Sequence, residues 1–209
     1  MKTNTHAKIL TMVQIALLSA IVVVLQLFFS GVRVGTVNLN FVLVPIVIAG
    51  VFISPMAGLF VGILAGITTF VQVFTSGDVF YVFLMAHNPV ATAFICILKT
   101  GLAGLISGLV HRLLSKTKSH DTVNVLVSSI LCPLINTGLF VLGMVLFFGK
   151  HFLTDPTFSA MAASSANVLV FVLVFLVGVN FFVELALNAI LCPILSKALK
   201  VSNIFKKSK

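Results

Sequence analysis

The sequence predicts an all-α integral membrane protein, a single compact bundle of six transmembrane helices with both termini in the cytoplasm. Three observations lead there. Only 8% of the 209 residues are charged and 60% are hydrophobic, whereas a soluble domain carries about 25% charged residues. Mean hydropathy is +1.24. No charge lies between Arg33 and Asp78; as one helix that interval would run about 66 Å, twice the roughly 30 Å of a hydrocarbon core. Finally, basic residues are divided unevenly among the breaks between apolar runs.

The first apolar run, Met12 to Phe29, follows a short polar segment with Lys2 and Lys8. It is longer than a signal-peptide core, and FFSGVRVG makes a poor cleavage site, so a retained first helix over 9–29 is expected. Ser30 to Leu39 reads as a first outer loop with Arg33 its only charge. Asn38 and Asn40 are amides at the edge of the next apolar run. The charge-free interval then divides at Ser54-Pro55, because proline suits a first helical turn and breaks a helix interior. This predicts spans over 39–53 and 55–74. Gly58, Gly62 and Gly66 form a small-residue face at spacing four, which lets a neighbouring backbone approach closely in lipid.

Thr75 to Asn88 is expected to be a loop, with Gly77-Asp78 turn chemistry and Tyr81 as an interfacial anchor. His87-Asn88-Pro89 starts a fourth helix over 89–114, with asparagine as cap and proline at the first position. Gly101, Gly104 and Gly108 give it a second close-packing face. A basic loop with His111, Arg112, Lys116 and Lys118 follows. The fifth helix covers 123–148, with a kink signal at Cys132-Pro133. After a polar loop over 149–166, the sixth covers 167–199. All of 1–209 is expected to form one membrane domain. Cys96, Cys132 and Cys192 lie inside apolar runs, without metal-ligand spacing, and read as packing residues.

Ten Lys and Arg residues fall on the side of the two termini and the 111–120 loop: Lys2, Lys8, Arg112, Lys116, Lys118, Lys197, Lys200, Lys206, Lys207 and Lys209. Arg33 and Lys150 alone fall on the other, with Lys99 buried. The positive-inside rule therefore puts both termini in the cytoplasm. The +9 charge is a topology signal and not a nucleic-acid footprint, since it sits in short runs beside apolar helices.

Lys99 and Glu184 are the only charges deep in the apolar runs. Each costs several kcal/mol in lipid unless paired or hydrated, so both mark a functional site or a buried ion pair. Asn180, Glu184 and Asn188 share one face of the sixth helix; Asn88, Thr92, Cys96 and Lys99 fall near one face of the fourth. Asn136 is the matching amide on the fifth. These groups predict a polar interior surface. A purely structural alternative is a Lys99–Glu184 pair with amide bonds that lock helices four to six together.

The NLNFVLVP stretch, the SPMAG turn, the glycine-rich third helix and the Ala16-Leu17-Leu18-Ser19-Ala20 segment together resemble the substrate-binding (S) component of an energy-coupling-factor (ECF) vitamin transporter. The resemblance spreads over most of the chain. It implies a bacterial plasma-membrane subunit that captures a vitamin from outside. It also implies partners: a transmembrane coupling subunit, docked through Ala16 and Ala20, and two ATPase subunits. The solute would sit in the outer half, which favours Asn40, His87, Asn88, Lys99, Asn136, Asn180 and Glu184 as binding residues. The HNP helix start, the buried base on helix four and NxxxELxxN on helix six are most similar to the pantothenate type. Lys99 stands where arginine is commoner in that type and supplies a point charge in place of a planar fork. Riboflavin, another vitamin or a nucleobase-like precursor are the alternatives within the family.

Enzyme signatures are missing: the sequence has no GxxxxGK[ST], no HExxH and no paired carboxylates. No cofactor is expected, and ATP hydrolysis is left to partners. A secondary transporter would show inverted repeats with broken helices; ILCPLIN and ILCPILS match only locally. A membrane scaffold without solute would share the glycine faces but leave the polar residues of helices four to six without a role.

Overall fold

Long apolar runs separated by polar breaks produce eight helices and one short β ribbon among the described residues of the computed structural model, which are 2–29, 33–34, 37–38, 41–75, 77–117 and 120–201. Helix α1 is Lys2–Phe29. Strands β1 (Arg33–Val34) and β2 (Val37–Asn38) pair antiparallel, Arg33 opposite Asn38 and Val34 opposite Val37. Helix α2 is Leu43–Ile53, α3 Pro55–Thr75, α4 Val79–His87 and α5 Pro89–Leu114. Helix α6 is Asp121–Thr154, α7 Ser159–Ala163 and α8 Val168–Lys200. Five of these, α1, α3, α5, α6 and α8, are long and apolar enough to cross a membrane.

The second apolar stretch differs from the expected full span. Helix α2 has six α-helical residues followed by a five-residue π turn, Ala49–Ile53. At 1.5 Å per residue it is about 16 Å long, half a hydrocarbon core. Leu43, Ile46, Val47 and Ala49 are fully enclosed. A helix that is apolar all round is what a bundle interior requires as well as what lipid requires. Composition alone does not separate the two, and here the stretch fills the interior.

Ser54 is extended and its hydroxyl accepts from Ala57 N (3.1 Å), so the chain turns at Ser54-Pro55 and α3 starts capped. Helix α3 lies against α5 backbone to backbone. A Cβ placed on Gly58 would come 2.5 Å from the Gly104 carbonyl oxygen. One on Gly66 would come 2.5 Å from that of Cys96. Gly108 meets Gly50 and Pro55 in the same way. The two glycine faces therefore pack on each other, and only hydrogen side chains permit the spacing. Asn88 caps α5, its Oδ1 accepting from Ala91 N at 2.9 Å, with Pro89 at the first position.

Helices α6 and α8 are irregular, but away from their prolines. Pro133 and Pro193 sit inside helix. The departures are a π turn at Met144–Phe148 in α6 and one at Val172–Val177 in α8. The second ends at Gly178, whose φ of +34° breaks α8 into two pieces and suits glycine alone. Asp121 and Lys200 form an ion pair that ties the start of α6 to the end of α8.

Two segments expected to be loops contain helices. Asp78 caps α4 by accepting from Phe80 N (2.9 Å), and the apolar nine-residue helix that follows packs inward. The 149–166 segment holds the end of α6 and α7. There Phe83 stacks on Phe152 (4.9 Å between centroids), which meets Phe171 edge-on at 5.3 Å. This aromatic core is separate from the aliphatic one around α2.

Candidate functional site

The break in α8, the middle of α6 and the first half of α5 converge with α4 and the ends of α1 and α3 around a cavity of about 250 Å³. Lys99 reaches it from α5, Asn136 from α6, and Asn180 and Glu184 from α8. Four of the residues expected from the sequence are thus brought together.

Lys99 is the one basic residue among those that line the cavity, and Asp78 and Glu184 are the acidic ones. Lys99 Nζ lies 4.8 Å from the centre of the Phe140 ring, a cation–π contact. Glu184 is near enough to feel the Lys99 charge, but among the described residues the two form no ion pair within 4.0 Å. Glu184, 3% exposed, is engaged along its own helix. Its Oε1 accepts from Asn180 Nδ2 at 3.1 Å, and its backbone carbonyl accepts from Asn188 Nδ2 at 2.8 Å. The interhelical Lys99–Glu184 lock, the structural alternative, is not formed among the described residues, and Glu184 belongs to a ladder of amide bonds one turn apart on α8. Asn188 is fully buried and does not line the cavity.

Asn136 and Asn180 both border the cavity, and the Oδ1 of each is buried without a hydrogen-bond partner among the described residues. A buried acceptor left unmade costs about 1–3 kcal/mol, and both of these belong to residues that line the cavity.

His87 and Asn88 are not on that wall. The Asn88 side chain is used as the α5 cap. His87 Nδ1 lies 3.0 Å from the Phe83 carbonyl, its Nε2 is 3.9 Å from Asp155, and its ring is 4.5 Å from that of His151. It joins α4 to the end of α6, behind the aromatic core. Asn40 lies outside the described residues. Thr92 faces inward, and its hydroxyl donates to Asn88 O at 2.8 Å.

The cavity also includes groups that sequence reasoning missed. Gln26 of α1 donates to Gln72 Oε1 of α3 at 2.6 Å, and Gln72 donates back to the Gln26 carbonyl. A glutamine in each of two apolar spans was the available signal. Phe80 and Tyr81 close the side formed by α4. Tyr81 was expected at the membrane interface, because the helix that carries it inward was read as loop. Ala16 and Ala20 are exposed on α1.

The five apolar helices indicate a multi-pass membrane protein. No curated protein and no solved structure matches the chain. The family model for the ECF transporter substrate-specific component matches residues 10–196. That match takes in α2 through α7 and most of α1 and α8, so the cavity stands on the part of the chain that carries the match, and the protein belongs to the family of ECF transporter substrate-specific components.

Proposed function

We propose that the protein is the solute-capturing subunit of an ECF-type importer for a small anionic vitamin, pantothenate, with ATP hydrolysis carried out by two ATPase subunits and coupling by a transmembrane partner. The observation that carries this is a single lysine bordering a 250 Å³ cavity in an apolar bundle, with buried amide oxygens on Asn136 and Asn180 that have no partner among the described residues. Pantothenate has one carboxylate, two hydroxyls, an amide and a gem-dimethyl group. Lys99 meets the carboxylate, Asn136 and Asn180 meet donors, and Phe140 and Tyr81 supply apolar wall. The resemblance adds Asn40. The cavity lies below the roughly 300–1,000 Å³ of sites for drug-sized ligands, which suits a short acyclic solute better than tricyclic riboflavin.

Six passages of the chain, the second of them through the half-length α2 inside the bundle and the other five by full-length helices, fit the charge distribution better than five. An odd number would put the basic termini on opposite sides, against the ten-to-two division of Lys and Arg. Ala16 and Ala20, exposed on α1, are the docking face for the coupling subunit.

Binding to purified protein tests this reading. Pantothenate should bind, and Lys99→Gln should weaken it roughly ten- to hundredfold by removing a charge-assisted contact. Lys99→Arg should keep part of the affinity. If Lys99→Gln with Glu184→Gln regains both stability and full affinity, Lys99 only balances a buried charge and the assignment fails.

A further inference from the structure

We infer that His87 is a positioning residue: on taking one proton it clasps Asp155, fastens helix α4 to the end of α6, and so tightens the cavity wall that α4 supplies when the medium turns mildly acidic. The inference deepens the solute-capture reading and rests on it for the solute, while the clasp itself stands on the geometry of α4.

Helix α4 has nine residues, too few to hold a helix by propensity alone, so its place depends on what it packs against. Phe83 stacks on Phe152 and meets Phe158 edge-on at 4.9 Å, and His87 follows one turn later. On the same helix Phe80, Tyr81 and Leu84 line the cavity. Whatever fastens the His87 end therefore acts on cavity wall one to two turns away.

The imidazole is set between two acceptors. Its Nδ1 lies 3.0 Å from the Phe83 carbonyl, which has no proton to give, so Nδ1 carries the hydrogen. In the neutral ring Nε2 is then a bare lone pair, and it lies 3.9 Å from Asp155 Oδ2. These two acceptors oppose each other until Nε2 takes a proton. The imidazolium donates to the Phe83 carbonyl and pairs with the carboxylate at once. Asp155 is steadied in turn, since its Oδ1 accepts from Thr157 N at 2.8 Å. The two side chains are 23% and 19% exposed, so solvent protons reach them. The other titratable group against His87 is His151, whose ring is 4.5 Å away. A second proton there would set two cations on one carboxylate, so the clasp takes one. Helices α3 and α7, residues 89–98 of α5 and 168–177 of α8 bring no charged residue or histidine to it. The fastened arrangement holds the proton more tightly than one with α4 displaced. Its gain is therefore present at the acid end of the histidine range, about pH 5–8, and is lost as pH rises through it.

The test uses the full-length protein at about pH 6 and about pH 8, with two readouts. One is hydrogen exchange of the 79–87 amides without solute, corrected for the intrinsic effect of pH on exchange; the other is calorimetric titration with pantothenate. In wild type, exchange should be slower and pantothenate affinity higher at the lower pH, each by roughly two- to fivefold for a partly exposed pair. Asp155→Asn keeps an oxygen for Thr157 N and removes the charge, so both differences should vanish. Equal protection of 79–87 at the two pH values in wild type overturns the inference. So does a difference that persists in Asp155→Asn, which a proton taken up by Glu184 at the cavity would produce. Protection that shifts as expected while pantothenate affinity stays constant overturns the link from the clasp to the cavity. Failure to bind pantothenate at either pH, with the shift in protection intact, removes the vitamin reading and leaves the clasp in place. Should Asp155→Asn not fold, His87→Gln decides in its stead, since glutamine does not titrate and both differences should again vanish.

Discussion

Asn88 and Asn136 carry the same side chain and are used differently. The Asn88 carboxamide accepts from the backbone of its own helix start, which makes it a cap. Asn136 lines the cavity, and its oxygen is buried with no such partner among the described residues. Loss of an asparagine cap costs about 1 kcal/mol, so Asn88→Ala should lower thermal stability by about that much while affinity for the proposed solute stays at the wild-type level. A matched loss of affinity would return Asn88 to the site. Asn136→Leu should show the opposite pattern: affinity falls, whereas stability holds or rises because an unmade acceptor is gone. The difference was not legible from residue type. The HNP order did mark Asn88 as a cap, and that reading of it accounts for the geometry without a ligand role.

At the scale of elements, the α3–α5 contact is the tightest part of the bundle. The glycine spacing read from the sequence locates both faces, and the structure sets them against each other at Gly58 and Gly104. Without a hydrophobic force between helices in lipid, such close packing is what holds them. Gly104→Ala should therefore destabilise by about 1–3 kcal/mol through overpacking, although alanine is the better helix former. Gly138 of α6 has open space where a Cβ would go. Gly138→Ala should stabilise by up to about 1 kcal/mol from helix propensity. Unfolding of both variants in detergent checks the contrast, and equal stability would show that the α3–α5 faces are looser than described. Helix α8 carries the opposite kind of feature. Its break at Gly178 puts the preceding turn and Asn180 beside the cavity. No periodicity in the sequence marks that break, because a glycine inside an apolar run reads equally well as packing.

Two predictions concern the whole molecule. The Lys and Arg division predicts that both termini are inside, so cysteine labelling from outside should modify thiols introduced at Ser76 and Thr154 but not at Ser119. Strong outside labelling at Ser119 would reverse the six-crossing arrangement. The second concerns assembly. Ala16 and Ala20 are exposed one turn apart on α1, while the cavity is bounded on that helix by Leu25 and Gln26, further toward its end. Ala16→Trp should accordingly leave solute binding by the isolated subunit in place and reduce uptake by the assembled transporter. Parallel loss of both would mean that the tryptophan disrupts the fold.

The sequence by itself determined the membrane class, the family, the order of the long helices, the glycine faces and the two charges that fall within the apolar helices. Each is a local property: hydropathy over a run, spacing along one helix, or a charge that lipid makes costly. Tertiary structure alone decided three further matters. Helix α2 is a half-length interior helix, because an all-apolar stretch satisfies lipid and core alike until its neighbours are known. The 79–87 segment is a helix that closes the cavity, because nine apolar residues are too few to show a period and only packing against α5 and α6 gives them a face. Lys99 rests on Phe140 while Glu184 turns to Asn180. Opposite charges on two helices suggest a pair in any sequence, but whether they meet depends on the rotation of each helix about its axis, which the packing of the bundle sets.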